Sequence, residues 1–336
     1  MLASPRKSLF ASVALAGALV VLGACGQSDT APSASSGQPA SLPASTAAGP
    51  SSDTPSTRML KTVKGEIEIP TDPKRIVAGY YHGTLLALGM QPVGGSKDWW
   101  MGSPFLKEQE AAMTDIGSPA STEKVLALNP DLIVINDTLV DQYDNFSKIA
   151  PTLLVEYSSI HNIREEVKVF GELLGKQKEA DAWLAGYAAK AEQAREKLKD
   201  TVKPGATAAL LEIDGKSLAV LGDNYGRGGE VIYNALQFQA PAWIKQNVID
   251  NGVQYQEISI EKLPEIADTD YIFLSSYTET TAEELQALID NPVWKSLPAY
   301  KNGHIIPLDY KTYFYFDPVS VLGQVDRLTE AVLQHK

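Results

Sequence analysis

Ser121-Thr122-Glu123-Lys124-Val125, running on through Leu128 and Asp131 into Leu132-Ile133-Val134-Ile135, has a counterpart downstream. Ser259-Ile260-Glu261-Lys262-Leu263 runs on through Ile266 and Asp270 into Tyr271-Ile272-Phe273-Leu274. Each stretch reads as a capping serine, an acid in the first turn, a short helix and then a buried strand. The offset is 261 − 123 = 138 residues. A looser echo pairs Ile76–Gly79, which leads through Tyr80-Tyr81-His82-Gly83 into a helix at Thr84–Leu88, with Leu218–Gly222. The latter leads through Tyr225-Gly226-Arg227-Gly228-Gly229 into a helix at Glu230–Leu236.

Working outward, strands are predicted at Arg75–Gly79, Asp131–Asn136, Thr152–Tyr157, Ala208–Ile213, Leu218–Leu221, Tyr271–Ser275 and His304–Leu308. Most are continuous apolar runs, as expected of strands covered on both faces, and helical segments lie between many of them. Thr62–Ile69, with Lys64-Gly65 inside, predicts a small hairpin. Residues 177–200 differ from the rest. Trp183, Tyr187, Ala191, Ala194 and Leu198 form one stripe at helical spacing among Lys, Glu and Arg, and Pro204-Gly205 stops the run. Two similar halves flanking one long helix predict an α/β protein of two Rossmann-like lobes joined by a single long α-helix, with a ligand cleft between the lobes.

The N-terminus is of another kind. Arg6 and Lys7 precede an apolar run from Leu9 to Leu22, then Gly23-Ala24-Cys25. These are the parts of a secretory signal, and the run is short for a membrane span of about 20 residues. Small residues before a cysteine resemble the site read by lipoprotein signal peptidase, which implies lipidation of Cys25. Cys25 is the only cysteine of the chain, so it has no disulfide partner there. Residues 26–57 are almost all Ser, Thr, Pro, Ala and Gly, too polar to build a core, and read as a tether spanning roughly 30 Å on average. The expected division is a signal peptide at 1–24, a lipidated cysteine and linker at 25–57, an N-terminal lobe at 58–176, a linker helix at 177–203 and a C-terminal lobe at 204–336. The formal charge, 29 − 41 = −12, argues against nucleic acid as a partner.

Five further motifs complete the pattern: Pro73-Lys74-Arg75-Ile76-Val77, Leu128-Asn129-Pro130-Asp131-Leu132-Ile133, Tyr225-Gly226-Arg227-Gly228-Gly229-Glu230, Ile258 through Pro264, and Asp317-Pro318-Val319-Ser320. In this order, from about residue 60 to the end, the chain resembles the helix-linked periplasmic binding proteins that serve ABC importers as ferric-siderophore and vitamin B12 receptors. The resemblance implies an extracytoplasmic, lipid-anchored monomer that binds a ferric siderophore and delivers it to ABC permease subunits. It implies iron transport without enzymatic activity and without a cofactor or metal site of the protein's own, since the chelator already wraps the iron. It also implies that Glu123 and Glu261, one on each lobe, dock into the permease. On sequence alone an acid in a first helical turn has a second explanation, attraction to the helix dipole.

Ligands of open α/β sheets sit beyond the carboxyl ends of strands, so strand-to-helix loops supply the candidate contacts. These are Tyr80, Tyr81 and His82, then Lys97, Trp99 and Trp100, then Tyr225 and Arg227, and lastly Tyr310 and Tyr313-Phe314-Tyr315-Phe316. Arg227 leads, because a guanidinium can bond two chelate oxygens at once and its neighbouring glycines allow close approach. From these, Arg227, Tyr225, Lys97, Trp99, Trp100, Tyr81, His82, Tyr313 and Tyr315 are assigned to the ligand. Tryptophan and tyrosine suit a bulky, partly apolar chelate. His82 has the alternative of a capping or packing residue. His161, His304 and His335 read as structural or exposed.

The four histidines show no metal-ligand spacing. No G-x-S-x-G elbow is present, Gly215-Lys216-Ser217 lacks the upstream glycine of a phosphate loop, and Gly226-x-Gly228-Gly229 lacks dinucleotide spacing, which leaves a secreted hydrolase poorly supported. A haem or cobalamin receptor of the same fold is the nearer alternative, with Tyr81 or His82 as the haem ligand. Catecholate receptors of the family tend to present several Lys and Arg. Arg227 and Lys97 alone lean toward a less charged hydroxamate, carboxylate or mixed chelate.

Overall fold

The computed structural model describes residues 56–214, 217–277 and 282–335, with the side chains of Asp98, Trp99, Ala282 and Glu284 outside that description. The signal segment, Cys25 and the linker as far as residue 55 lie outside the described residues.

A hairpin comes first. β1 (Thr57–Thr62) pairs antiparallel with β2 (Gly65–Pro70), Thr62 opposite Gly65. The first lobe follows as five parallel strands: β3 (Ile76–Ala78), β4 (Gly94–Gly95), β5 (Thr114–Asp115), β6 (Leu132–Ile135) and β7 (Thr152–Leu154), in the order β5-β4-β3-β6-β7. β3, β6 and β7 are buried along their whole length, as expected of strands covered on both faces. The second lobe holds β8 (Ala208–Asp214), β9 (Ser217–Leu221), β10 (Tyr255–Ile258), β11 (Tyr271–Ser276) and β12 (Ile305–Leu308), in the order β10-β9-β8-β11-β12. Here β8, β11 and β12 are parallel, while β9 runs against β8 and β10 against β9.

The Ser-x-Glu-Lys echo is a true correspondence of position. The strands it introduces, β6 and β11, each lie beside the central strand of their sheet. The acid before each strand ties it to that centre. Asp131 accepts from the backbone N–H of Lys74 (2.6 Å) and Arg75 (2.9 Å) just ahead of β3. Asp270 accepts from the backbone N–H of Thr207 (2.9 Å) just ahead of β8. Arg75 returns the contact, its Nε donating to the carbonyls of Leu128 (3.0 Å) and Asn129 (3.1 Å). The looser echo is not a correspondence. Leu218–Leu221 is an antiparallel strand in the place that β4 holds in the first lobe, and β8 occupies the place of β3.

A helix of 22 residues, Gln177–Leu198, connects the halves. Its stripe is buried as the spacing predicts: Trp183 8%, Tyr187 4%, Ala191 4%, Ala194 5% and Leu198 3% exposed. Full burial of a large apolar side chain is worth about 1.5–3 kcal/mol, so Trp183, Tyr187 and Leu198 dominate its attachment. The last helix, Pro318–Gln334, packs against this connector and against the helix His82–Ala87 of the first lobe. Asp317 caps it by accepting from the N–H of Val319 (3.0 Å) and Ser320 (2.9 Å). No helix among the described residues is long and apolar enough to cross a membrane.

Candidate functional site: the cleft between the sheets

Strand ends of the two sheets enclose a cavity of about 290 Å³. From the first lobe come Tyr80, Tyr81 and His82 after β3, Asn136 and Thr138 after β6, and Tyr157 after β7. From the second come Tyr225 and Arg227 after β9, Gln254 before β10, Tyr277 after β11, and Phe314 through Asp317 beyond β12. Trp100, Thr84 and Glu166 complete the wall.

The aromatic residues brace one another. The Tyr80 ring meets Trp100 at 4.7 Å and Tyr157 at 5.5 Å, both edge to face. Tyr157 of the first lobe meets Tyr225 of the second at 4.7 Å. Burial pushes the hydroxyls of Tyr80 and Tyr157 well above the usual tyrosine range, so they remain neutral donors.

Arg227 is held from two sides. Its Nε donates to Glu212 of β8 at 2.8 Å, and its guanidinium carbon stands 4.6, 5.1 and 5.4 Å from the ring centres of Phe314, Tyr310 and Tyr277. It is 9% exposed. Glu212 is pushed up by burial, with Arg227 pulling the other way. The backbone is strained here: Tyr81 (φ 62°), Tyr225 (φ 58°) and Arg227 (φ 62°) are left-handed without being glycine, and all three line the cavity. Such a conformation costs roughly 1–2 kcal/mol per residue and persists where tertiary contacts enforce it. Gly226 makes it possible. At φ 92°, a Cβ there would lie 2.4 Å from the Phe314 carbonyl oxygen.

A polar knot ties the Arg227 loop to the other lobe. Glu230 accepts from Arg164 (2.8 Å), from the Tyr187 hydroxyl (2.6 Å) and from Asn234 (2.9 Å). It is buried and pushed up to about 7, burial outweighing the pull of Arg164. Beside the cavity His82 Nε2 and Glu110 Oε1 are 3.0 Å apart, both nearly buried, and Glu110 also accepts from the Gly102 N–H (2.7 Å).

Of the nine residues assigned to the ligand from sequence, six line the cavity: Arg227, Tyr225, Trp100, Tyr81, His82 and Tyr315. Three do not. Lys97 is exposed and off the wall, its backbone N–H donating to Asp115 at 3.3 Å. Trp99 belongs by backbone to the turn Lys97–Trp100, and its side chain lies outside the described residues. Tyr313 is 4% exposed and packs in the core, because it closes the helical turn Tyr310–Tyr313 and faces inward. Its neighbours Phe314 and Phe316 line the cavity instead. Glu123 and Glu261 are both exposed. Ser121 and its own backbone N–H hold the Glu123 carboxyl below the usual glutamate range, and its own backbone N–H and Ser259 do the same for Glu261.

Asn136, Thr138, Tyr157 and Tyr277 escaped the sequence reading although each lies within three residues of a strand's carboxyl end. Glu166, inside the helix Ile163–Leu174, carries no sequence signal of its own. Among the described residues, no group of three or more His, Cys, Asp and Glu is placed to hold a metal ion. The cavity therefore suits a bulky ligand with an apolar periphery and oxygen acceptors, met by stacked rings, hydroxyls and one guanidinium.

The periplasmic binding protein family matches residues 76–312. The iron(3+)-hydroxamate-binding protein YxeB of Bacillus subtilis (strain 168) is 37% identical over 279 residues, which span 82% of this chain and 85% of that protein. A FhuD fold-family structure from Bacillus subtilis, a periplasmic binding protein component of a ferrichrome ABC transporter, superposes with a TM-score of 0.72 at 34% identity, over 81% of this chain and 99% of that one. FhuD2 from Staphylococcus aureus with bound ferrioxamine B gives a TM-score of 0.67 at 28% identity, over 78% and 99%. With a family match over most of the folded body, and sheets and cleft arranged as above, the chain belongs to the periplasmic binding protein family.

Proposed function

We propose that this chain captures a ferric siderophore of the hydroxamate class and delivers it to an ABC importer. The observation that carries the reading is Arg227, fixed between Glu212 and three rings on the wall of an aromatic cleft, in a chain 37% identical to an iron(3+)-hydroxamate-binding protein. Among the described residues, Arg227 is the one lasting cation lining the cavity, while Glu166 and Asp317 line it as carboxyls. A trianionic catecholate complex would meet little compensating charge there, whereas a ferric trihydroxamate is uncharged at its centre. The haem alternative is weakened by geometry: the Tyr81 hydroxyl donates to the Val155 carbonyl (3.3 Å), and His82 Nε2 is engaged by Glu110.

Cys25 carries the lipid that holds the protein at the outer face of the cell membrane, after removal of residues 1–24, and the segment from there to the start of β1 at Thr57 is the tether. The lobes at 58–176 and 204–336, joined across 177–203, act as one monomeric receptor with no catalytic step of its own. Glu123 and Glu261 dock the lobes onto the two permease subunits. The test is a tryptophan-fluorescence titration against ferric hydroxamates, ferric catecholates, haem and cobalamin. Saturable quenching by a ferric hydroxamate is expected. Tight binding of haem or cobalamin with no response to any ferric chelate would overturn the reading.

A further inference from the structure

The cleft contains a carboxyl that has no ion-pair partner. Glu166 is 3% exposed, lines the cavity, and takes part in none of the ion pairs among the described residues. An ionised carboxylate walled by rings loses its hydration without compensation, and such groups keep their proton instead. Of the groups facing Glu166, only one works against this. Thr84 donates its hydroxyl to Oε1, on the side of the helix His82–Ala87. Tyr80, Tyr81 and Tyr157 are neutral, and Asp317, at the start of the last helix, adds like charge. The nearby cations are engaged elsewhere, Arg164 on Glu230 and Arg227 on Glu212, and His82 Nε2 is hydrogen-bonded to Glu110.

We infer that the Glu166 carboxyl is a hydrogen-bond donor to an oxygen of the bound ferric chelate, which makes capture tight at neutral pH and weak in alkali. This rests on the siderophore reading and deepens it: Glu166 selects a ligand that presents an acceptor oxygen to the first-lobe wall without a full negative charge. Burial pushes the carboxyl up to about 8, against the Thr84 bond, so the proton is present at neutral pH and lost just above it.

The test is the pH profile of affinity for a cyclic ferric trihydroxamate that has no titratable arm. In the wild type, affinity is flat below about pH 7 and falls about thirtyfold by pH 9.5, as proton linkage to one group requires. Glu166→Gln carries an amide donor at the same place, and its affinity is the same at pH 6.5 and 9.5. A flat wild-type profile, or a slope that survives in Glu166→Gln and so belongs to another group such as Glu230, overturns the inference while leaving the receptor reading intact. Failure to bind any ferric chelate at any pH overturns both. Should Glu166→Gln fail to fold, wild-type calorimetry in buffers of different ionisation enthalpy decides. Close to one proton taken up per ligand at pH 9 and none at pH 6 is expected, and none at both refutes it.

Discussion

Replacing Arg227 by alanine removes the guanidinium and leaves the rest of the cleft wall in place. Its contacts with Phe314, Tyr310 and Tyr277 are made within the second lobe, so their loss mainly affects how the loop is held. The backbone term cancels, since alanine at φ 62° bears the same left-handed cost as arginine. Arg227→Gly would not allow that cancellation. What changes affinity is the charge-assisted hydrogen bonding to the chelate, worth about 1.5–3 kcal/mol, or roughly 10- to 150-fold in Kd. Arg227→Lys keeps a point charge but loses the planar fork and the stacking, and falls in between.

Folding is a separate matter, because Glu212 loses its partner at 13% side-chain exposure. Its carboxyl is already raised by burial, so it escapes much of the about 3–5 kcal/mol cost of a broken buried pair by taking up a proton. Fluorescence titration with a ferric trihydroxamate reads the affinity, and far-UV circular dichroism with a thermal melt reads the fold. A natively folded Arg227→Ala protein that binds within about twofold of wild type would refute the placement of this residue at the ligand.

Gly226→Ala sets a Cβ against the Phe314 carbonyl at a φ that alanine resists, and is expected to lower stability by more than about 1 kcal/mol and to weaken ligand binding by displacing Arg227; an unchanged melt and Kd would contradict it. Arg164→Met leaves Glu230 buried without its cation, so the protein should lose roughly 1–3 kcal/mol of stability near neutral pH, less than for a fully buried pair because Arg164 is 38% exposed; urea unfolding at pH 6 and pH 8 should show the larger loss at pH 8, where Glu230 ionises. Glu123→Ala combined with Glu261→Ala should leave Kd unchanged and abolish uptake of radiolabelled ferric chelate by cells; normal uptake removes both from docking.

Much of the fold was legible because α/β sheets write themselves in composition. β6 is apolar throughout, β8 and β11 open on the runs Ala208–Leu211 and Tyr271–Leu274, and the stripe from Trp183 to Leu198 keeps helical spacing over about four turns. β4 and β5 were not legible. Two residues each, Gly94-Gly95 and Thr114-Asp115, contain no apolar run, and they are strands only because β3 offers an edge to β4 and β4 in turn to β5. β10 was missed for the opposite reason: Tyr255–Glu257 are exposed, so no buried run marks the strand. In the cleft, Arg227 was legible from the glycines around it. Tyr313 was misassigned because a single helical turn, rather than extended backbone, precedes Phe314, and this turns Tyr313 inward.

By itself, the sequence determined that two α/β halves flank one long helix, that Asp131 and Asp270 stand at equivalent places, and that Arg227 sits in a loop permitting close backbone approach. These follow from local patterns of burial and conformational freedom. Only the tertiary structure decided that the strand before that loop is antiparallel, that Glu212 and three rings hold the guanidinium, and that Glu166 faces the ligand cavity with no cation to balance it. Charge balance in a cleft is a sum over side chains from many segments, drawn here from residues as far apart as Tyr80 and Asp317. No local pattern in the sequence records which of them meet.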